Sequence, residues 1–222
     1  MIPAHDELER LRAGNARFAS GVRHVDTFMS QARRGEFVDG QRPFAVILGC
    51  SDSRVPVEMV FDQGLGDLFV IRVAGNIVAP SQIGSVEFAT EQFGTRLVVV
   101  LGHTRCGAVQ ATLEQLQQPT TNQSRNLRSI VDRIRPSVEG LLATDLASDA
   151  AALVRAAVRA NVCVAANQLR HGSEALEHLI RNDGLLVVGA EYSLETAIVE
   201  FFDGLPPAGS SRGRAATQPD AA

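Results

Sequence analysis

The chain of 222 residues carries a formal net charge of −4 and an apolar content of 45%, as expected of one globular domain with a full hydrophobic core. Its charges are mixed along the sequence, which argues against a nucleic-acid partner because such partners bind to a basic face. No stretch approaches the roughly eighteen continuous apolar residues of a membrane span, and the acidic, amphipathic N-terminus lacks the features of a signal peptide. We therefore expect a cytoplasmic protein that binds neither nucleic acid nor membrane.

The first part of the chain predicts a helical arm. Residues Asp6–Ser20 have helical spacing, with Leu8 and Leu11 on one side, and Phe28–Glu36 predicts a second short helix. This arm, residues 1–40, is too thin to fold alone. We expect it to pack either on the main body or on a second subunit.

Three short apolar runs without polar alternation follow the arm. They are Phe44–Leu48, Leu68–Val73 and Leu97–Leu101, and they predict strands that are buried on both faces. Two helix-compatible segments, Pro56–Asp62 and Ser81–Phe93, separate them. This order implies parallel pairing with right-handed crossovers, so functional residues belong just past the carboxyl ends of the strands.

The second half of the chain is mainly helical. Helical spacing covers Ala108–Gln117, Asn126–Arg133, Ala150–Arg170 and Ser173–Arg181. A fourth buried strand is predicted at Leu185–Ala190, and Ile198–Phe202 is placed to pair back on it. The pattern predicts an α/β fold: a central, mostly parallel β-sheet of about four to five strands, flanked by helices, with the N-terminal helical arm. Residues 1–205 are expected to form a single domain, and residues 206–222, which lack core residues, a disordered tail.

Two short stretches carry residues of the types that bind metals. Cys50-Ser51-Asp52-Ser53-Arg54 follows the first apolar run, and Gly102-His103-Thr104-Arg105-Cys106-Gly107 follows the third. Zinc takes thiolate and imidazole ligands in tetrahedral geometry, and three protein ligands leave one position open for water. Cys50, His103 and Cys106 would supply three ligands, with Asp52 as a fourth ligand or as the partner of the bound water.

The same residues also have a purely structural interpretation. Cys50 and Cys106 would be ordinary buried cysteines, and His103 would cap the end of a strand. The odd number of cysteines argues against a disulfide framework. Metal binding, catalysis and plain burial all remain open on this evidence.

Together the two stretches are similar to the paired motifs of the β-class carbonic anhydrases, in their plant-like and bacterial subtype. The resemblance also includes Asp67-x-Phe69-x-x-Arg72-x-x-Gly75-Asn76 and Val187-Val188-Gly189-Ala190-x-Tyr192, so it spans nearly all of the chain that is predicted to be ordered. It implies reversible hydration of carbon dioxide to bicarbonate and a proton by a lyase. It also implies one zinc ion per subunit, held by Cys50, His103 and Cys106, and a homodimer or a tetramer.

The resemblance further implies a role for each residue of the first motif. A zinc-bound hydroxide would attack carbon dioxide, best at mildly alkaline pH because two thiolates neutralise the charge of the metal. Asp52 and Arg54 would be catalytic: Asp52 accepts a hydrogen bond from the hydroxide, and Arg54 holds that carboxylate. Asp52 would also be a conditional fourth zinc ligand as the pH falls. The alternative for these two residues is an ordinary surface ion pair.

The resemblance also assigns three substrate-binding residues. Gln41 stands where the plant-like subtype has a glutamine that hydrogen-bonds substrate, and Phe69 and Phe88 stand where it has aromatic pocket walls. A tyrosine is commoner at the second of these positions, so Phe88 keeps the shape and loses a hydroxyl donor; both rings would otherwise be core. Arg72 and Tyr192 are candidates for a second, non-catalytic bicarbonate site of another subtype, but that site also needs a tryptophan and the chain has none.

Two alternative functions stay open. A hydrolase of carbon disulfide or carbonyl sulfide would use the same scaffold and the same zinc ligands. A non-catalytic, zinc-containing regulatory protein would result if Asp52 closed the metal site permanently.

Overall fold

A five-stranded β-sheet forms the centre of the protein, in a computed structural model that describes residues 3–22, 35, 37–119 and 124–205. The strands are β1 (Ala45–Gly49), β2 (Leu68–Arg72), β3 (Leu97–His103), β4 (Leu186–Tyr192) and β5 (Val199–Asp203). Their order across the sheet is β2-β1-β3-β4-β5. The first four are parallel, and β5 pairs with β4 in the antiparallel sense. The predicted mostly parallel α/β fold is confirmed.

The continuous apolar runs become strands because helices cover both faces of the sheet. Every residue of β1 and β3 is buried, as expected of central strands in a parallel sheet. In the register, Gly49 at the end of β1 lies beside Leu101 of β3 and Arg72 of β2. The carboxyl ends of these three strands therefore meet at one edge of the sheet.

Helices pack on both sides of this sheet. They are α1 (Ala4–Ala19), α2 (Val57–Val60), α3 (Pro80–Gln92), α4 (Gly107–Gln117), α5 (Arg125–Val138), α6 (Ala150–His171) and α7 (Glu174–Asn182). One face carries α1 and α2, and the other carries α3, α6 and α7. A third apolar cluster joins α4, α5 and α6 at the carboxyl edge and includes Cys50 and Cys106. In the described ranges, no helix combines the length and the apolar character that crossing a membrane requires.

The N-terminal helix packs on the body of its own chain. Leu8 and Leu11 of α1 are buried in the core. The amide of Asn15 donates hydrogen bonds to Val60 O (3.1 Å) and Ala197 O (3.0 Å). Helix α1 thus contacts the main body of its own chain.

Each of the seven helices begins or ends at a residue other than the predicted one, and the differences at α1 and α5 are the largest at a helix end that involves proline. Helix α1 begins at Ala4 rather than Asp6, and Pro3 is its N-cap residue, with an extended backbone (φ −62°, ψ 140°). Helix α5 continues through Pro136, since Ile134 and Val138 on either side are fully buried. The predicted second arm helix lies outside the described residues except for one position, and the predicted tail lies wholly outside them.

A buried carboxylate in α1 makes the stability of the fold depend on pH. Glu7 is 7% exposed, and its Oε2 has no hydrogen-bond partner among the described residues. Burial raises the pKa of Glu7 from 4.5 to about 7, because the charged form is disfavoured away from water. The folded state binds this proton more tightly than the unfolded state. The contribution of Glu7 to stability is therefore fully present below about pH 4.5 and is lost as the pH rises through about 7.

We predict that Glu7→Gln removes this pH dependence. The difference in free energy of unfolding between the variant and the wild type should increase in favour of the variant by roughly 2–3 kcal/mol as the pH is raised from 5 to 8. Urea denaturation at the two pH values measures it. Glu9→Gln, which changes an exposed carboxylate on the same helix, is the control and should track the wild type. A Glu7→Gln variant that also tracks the wild type would contradict the prediction.

Candidate metal centre

Three metal-binding side chains meet at the carboxyl edge of the sheet. Cys50 directly follows β1, His103 is the last residue of β3, and Cys106 is the N-cap residue of α4. Their ligand atoms all lie within 4.8 Å of one another, and all three residues are buried. The parallel register brings the two strand ends together, and the short turn after β3 returns Cys106 to the same place. The structure thus brings together the three residues that the sequence predicted as ligands.

The imidazole of His103 is oriented by its own turn. Nδ1 lies 2.9 Å from Thr104 O; since a carbonyl accepts only, Nδ1 carries the proton and donates. Nε2 is left with its lone pair, buried and without a hydrogen-bond partner among the described residues. A buried imidazole that donates through one nitrogen and has the other free is typical of a metal ligand.

The two sulfurs are tuned by each other and by backbone groups. A hydrogen bond from the Cys106 thiol lowers the pKa of Cys50, and the same interaction raises the pKa of Cys106. Of the two thiols, Cys50 therefore loses its proton more readily. The N–H groups of Ala108 and Val109 act in the opposite direction on the pKa of Cys106, as expected at the N-terminus of a helix.

This donor set fits a zinc ion. Two sulfurs and one neutral imidazole are ligands that zinc prefers, and three ligands are typical of catalytic zinc sites. A divalent ion would bind both sulfurs as thiolates, with release of their protons. It would also give the lone pair of His103 Nε2 a partner.

Asp52 and Arg54 form a two-pronged ion pair beside the three ligands. Arg54 Nε lies 2.9 Å from Asp52 Oδ1, and its NH2 group lies 2.7 Å from Oδ2. The backbone N–H of Arg54 also donates to Oδ1 at 2.9 Å. These hydrogen bonds from Arg54 hold the pKa of Asp52 well below its usual range. Asp52 Oδ2 is 3.8 Å from His103 Nε2, so the ionised carboxylate faces the ligand cluster.

Arg72 binds the backbone of the loop that carries Cys50 and Asp52. Its Nε donates to Cys50 O at 3.0 Å, and its NH2 group donates to Asp52 O at 2.6 Å. Sequence reasoning considered this residue only for a second bicarbonate site. The signal that it missed is the register, which pairs Arg72 with Gly49 next to the loop.

Two of the predicted substrate-binding residues lie away from the cluster within the chain. Phe69 pairs with Val46, which is four residues before Cys50 and hence about 13 Å away along the strand. Phe88 packs against Phe69 with 6.2 Å between ring centroids, and is 51% exposed. Both rings therefore lie at the amino-terminal half of the strands, whereas the ligand cluster lies at the carboxyl ends.

The third predicted substrate-binding residue lies on the same side as these rings. Gln41 lines a surface pocket with Arg42, Gly66 and Asp67. Asp67 directly precedes β2, so this pocket is at the amino-terminal edge of the strands. A single chain does not bring Gln41 to Cys50.

A glycine aims a hydrogen-bond donor at Cys50. The backbone N–H of Gly75 lies 3.4 Å from Cys50 Sγ, and Asn161 holds the glycine from the following peptide by donating to Gly75 O at 2.8 Å. Gly75 has φ of 70°, a left-handed conformation that side chains disfavour. A Cβ atom there would lie 2.7 Å from Ile134 Cδ1 and 3.1 Å from Ala108 Cβ. The position therefore requires glycine.

We predict that Gly75→Ala lowers the free energy of unfolding of the metal-free protein by roughly 2–4 kcal/mol, through backbone strain and overpacking. Urea denaturation in the presence of a chelator measures it. Gly140→Ala is the matched control, because no described atom lies within 4 Å of the added methyl group, and it should change stability by about 0.5 kcal/mol or less. Equal effects of the two substitutions would refute the strain at Gly75.

Comparisons with known proteins agree with this site. The carbonic anhydrase family model matches residues 45–199. The carbonic anhydrase of Mycolicibacterium smegmatis is 39% identical over 195 residues, which cover 86% of this chain and 89% of that protein. The β-carbonic anhydrase CafA of Aspergillus fumigatus superposes with a TM-score of 0.69 at 27% identity, covering 91% of this chain and 93% of that one. A chain from the structures of two tetrameric β-carbonic anhydrases of Sordaria macrospora shares the fold, with a TM-score of 0.69 at 22% identity. The match covers 89% of this chain and 95% of that one. The chain belongs to the β-carbonic anhydrase family.

Proposed function

We propose that this protein is a zinc-dependent carbonic anhydrase, which reversibly hydrates carbon dioxide to bicarbonate and a proton. The observation that carries the proposal is the buried cluster of Cys50, His103 and Cys106 next to an ionised Asp52. Membership of the carbonic anhydrase family supports hydration of carbon dioxide as the reaction at this cluster. Neither alternative, a hydrolase of carbon disulfide or carbonyl sulfide or a non-catalytic zinc protein, has an observation in its favour.

The three ligands would hold one zinc ion per subunit. Cys50 and Cys106 would bind as thiolates, and His103 would bind through Nε2 while Nδ1 donates to Thr104 O. When bound, zinc would acidify a water molecule and so supply hydroxide, best at mildly alkaline pH because the two thiolates neutralise the charge of the metal. The neighbouring side chains would then position that nucleophile and the substrate.

Asp52 would orient the attacking oxygen. Its Oδ1 accepts two hydrogen bonds from Arg54, whereas Oδ2 accepts one and faces the ligand cluster. Because the pKa of Asp52 is held low, the carboxylate accepts hydrogen bonds and donates none. Oδ2 would accept a hydrogen bond from the nucleophile. This hydrogen bond would leave a lone pair of the attacking oxygen directed at carbon dioxide.

Arg54 would keep Asp52 off the metal. Both carboxylate oxygens are engaged by the guanidinium, so these contacts would oppose a movement of Asp52 onto the zinc. We therefore place Asp52 as the partner of the nucleophile, and as a fourth zinc ligand only when Arg54 releases it. This arrangement favours catalysis over a permanently closed regulatory site.

A homodimer would complete the site with residues of a second subunit. Gln41, Phe69 and Phe88 lie at the amino-terminal half of the sheet in their own chain, so their substrate-binding role requires them to act on another copy. The exposed ring of Phe88 lies next to β2, an edge strand with half-buried residues. Such a surface suits a contact between subunits. Dimers would be free to associate further into tetramers.

We predict that the purified protein retains one zinc ion per chain and that Asp52→Asn lowers kcat for carbon dioxide hydration by roughly 100-fold or more without loss of zinc. Stopped-flow hydration at pH 8.5 and elemental analysis measure the two quantities. Asp132→Asn, which breaks an exposed aspartate–arginine pair on α5, is the matched control and should remain active. Full activity of Asp52→Asn would exclude the proposed role. An inactive wild type that holds zinc would favour the alternatives.

We also predict that co-expression of two impaired variants restores carbon dioxide hydration in their heterodimer. Asp52→Asn and Gln41→Ala homodimers should both be impaired. In their heterodimer, one of the two sites would combine Asp52 of one subunit with Gln41 of the other, so about half of the wild-type activity per dimer should return. Purification through two different affinity tags isolates the heterodimer. No recovery of activity would show that Gln41 acts within its own chain.

A further inference from the structure

The turn between two of the proposed zinc ligands is short and strained. Strand β3 ends at His103 and α4 begins at Gly107, so Thr104 and Arg105 must reverse the chain before Cys106. Arg105 has φ of 56°, a left-handed conformation that residues other than glycine seldom adopt. Such a conformation persists only where neighbouring groups hold it.

One carboxylate holds both residues of this turn. Oε2 of Glu195 accepts a hydrogen bond from Thr104 Oγ1 at 2.9 Å. Oε1 of the same side chain lies 2.8 Å from Arg105 Nε. Glu195 therefore binds both residues that separate His103 from Cys106.

The connection between β4 and β5 keeps this carboxylate in place. Ser193 Oγ donates to Glu195 Oε2 at 3.3 Å, and Leu194 N donates to Thr104 Oγ1 at 3.0 Å. Thr104 N in turn donates to Tyr192 O at 2.9 Å. The hydrogen bond from Thr104 also lowers the pKa of Glu195, so its negative charge is retained. The two loops are joined by side-chain and backbone contacts together.

We propose that Glu195 is a positioning residue, which holds the turn from His103 to Cys106 in the geometry that binds zinc. The inference rests on the proposed function, because it presumes that zinc is the ion that these residues bind. Glu195 contacts none of the three ligands and acts only through Thr104 and Arg105. It stands some ninety residues further along the chain, outside the motif that contains the ligands.

An ordinary surface ion pair is the competing account of these contacts. The side chains of Arg105 and Glu195 are 73% and 46% exposed, and exposed pairs contribute little to stability. A surface pair would leave zinc binding unchanged when it is removed. A positioning residue would change the rate of zinc loss and the coordination geometry, so metal binding distinguishes the two accounts.

The first experiment compares Glu195→Ala with Glu200→Ala. Glu200 is an exposed carboxylate on β5 that pairs with Arg159 (2.9 Å) and has no contact with the turn, so it is the matched control. We expect zinc transfer from Glu195→Ala to a chromogenic chelator to be about 10-fold faster than from the wild type. We also expect an altered visible absorption spectrum of the cobalt-substituted protein. Wild-type transfer rates and an unchanged cobalt spectrum would overturn the inference.

The second experiment tests whether Glu195 acts through the strained residue. Arg105→Gly allows the left-handed conformation without a side chain. In that background only the contact with Thr104 remains, so Glu195→Ala should accelerate zinc loss by a clearly smaller factor than in the wild-type background. An acceleration as large as in the wild-type background would reject the proposed route through Arg105. This comparison is a double-mutant cycle, so neither variant needs to match the stability of the wild type.

Wild-type zinc content separates this inference from the proposed function. A wild-type protein that retains no zinc would overturn both. A wild type that retains zinc, with a Glu195→Ala variant that loses it at the wild-type rate, would overturn only the role of Glu195.

Discussion

The parallel pairing of β1 with β3 is the constraint on which the site depends. Because Gly49 lies beside Leu101 in this pairing, Cys50 and His103 emerge at the same edge of the sheet. A slip of one residue would move every side chain of a strand to the opposite face and would separate the ligands. Both strands are buried along their whole length, so the segments that build the hydrophobic core also carry two of the metal ligands at their carboxyl ends.

Beyond the strand ends, charged side chains fix the loops rather than the core. Arg72 binds the carbonyl groups of Cys50 and Asp52, Arg54 binds the Asp52 carboxylate, and Glu195 binds the turn before Cys106. These contacts are largely exposed and contribute little to the free energy of unfolding. Their value lies in geometry, because a site needs its ligands and acceptors within about half an ångström of the productive arrangement.

The sequence was sufficient for those features that depend on local pattern. The apolar runs around Val46 and Val99 predicted the buried strands, and spacing placed His103 near Cys106. The contacts of Arg72 and Glu195 were missed because each links residues that are far apart in the chain and meet only through strand register and loop closure. The same limitation applies to Phe69: the resemblance to the family implied a pocket wall, and only the pairing with Val46 shows that the residue lies at the amino-terminal half of the sheet.

The position of Phe69 indicates that zinc binding and substrate binding depend on different parts of the molecule. The three proposed zinc ligands, together with Asp52, come from a single chain and are assembled by its own fold. Of the proposed substrate contacts, Phe69 lies about 13 Å away along the strand. It would reach a ligand cluster only in an assembly of at least two chains. Zinc binding would then be a property of the folded subunit, whereas binding of carbon dioxide in the correct orientation would be a property of the dimer. Substitutions around Phe88 would therefore act on activity through association, without altering the metal ligands of their own chain.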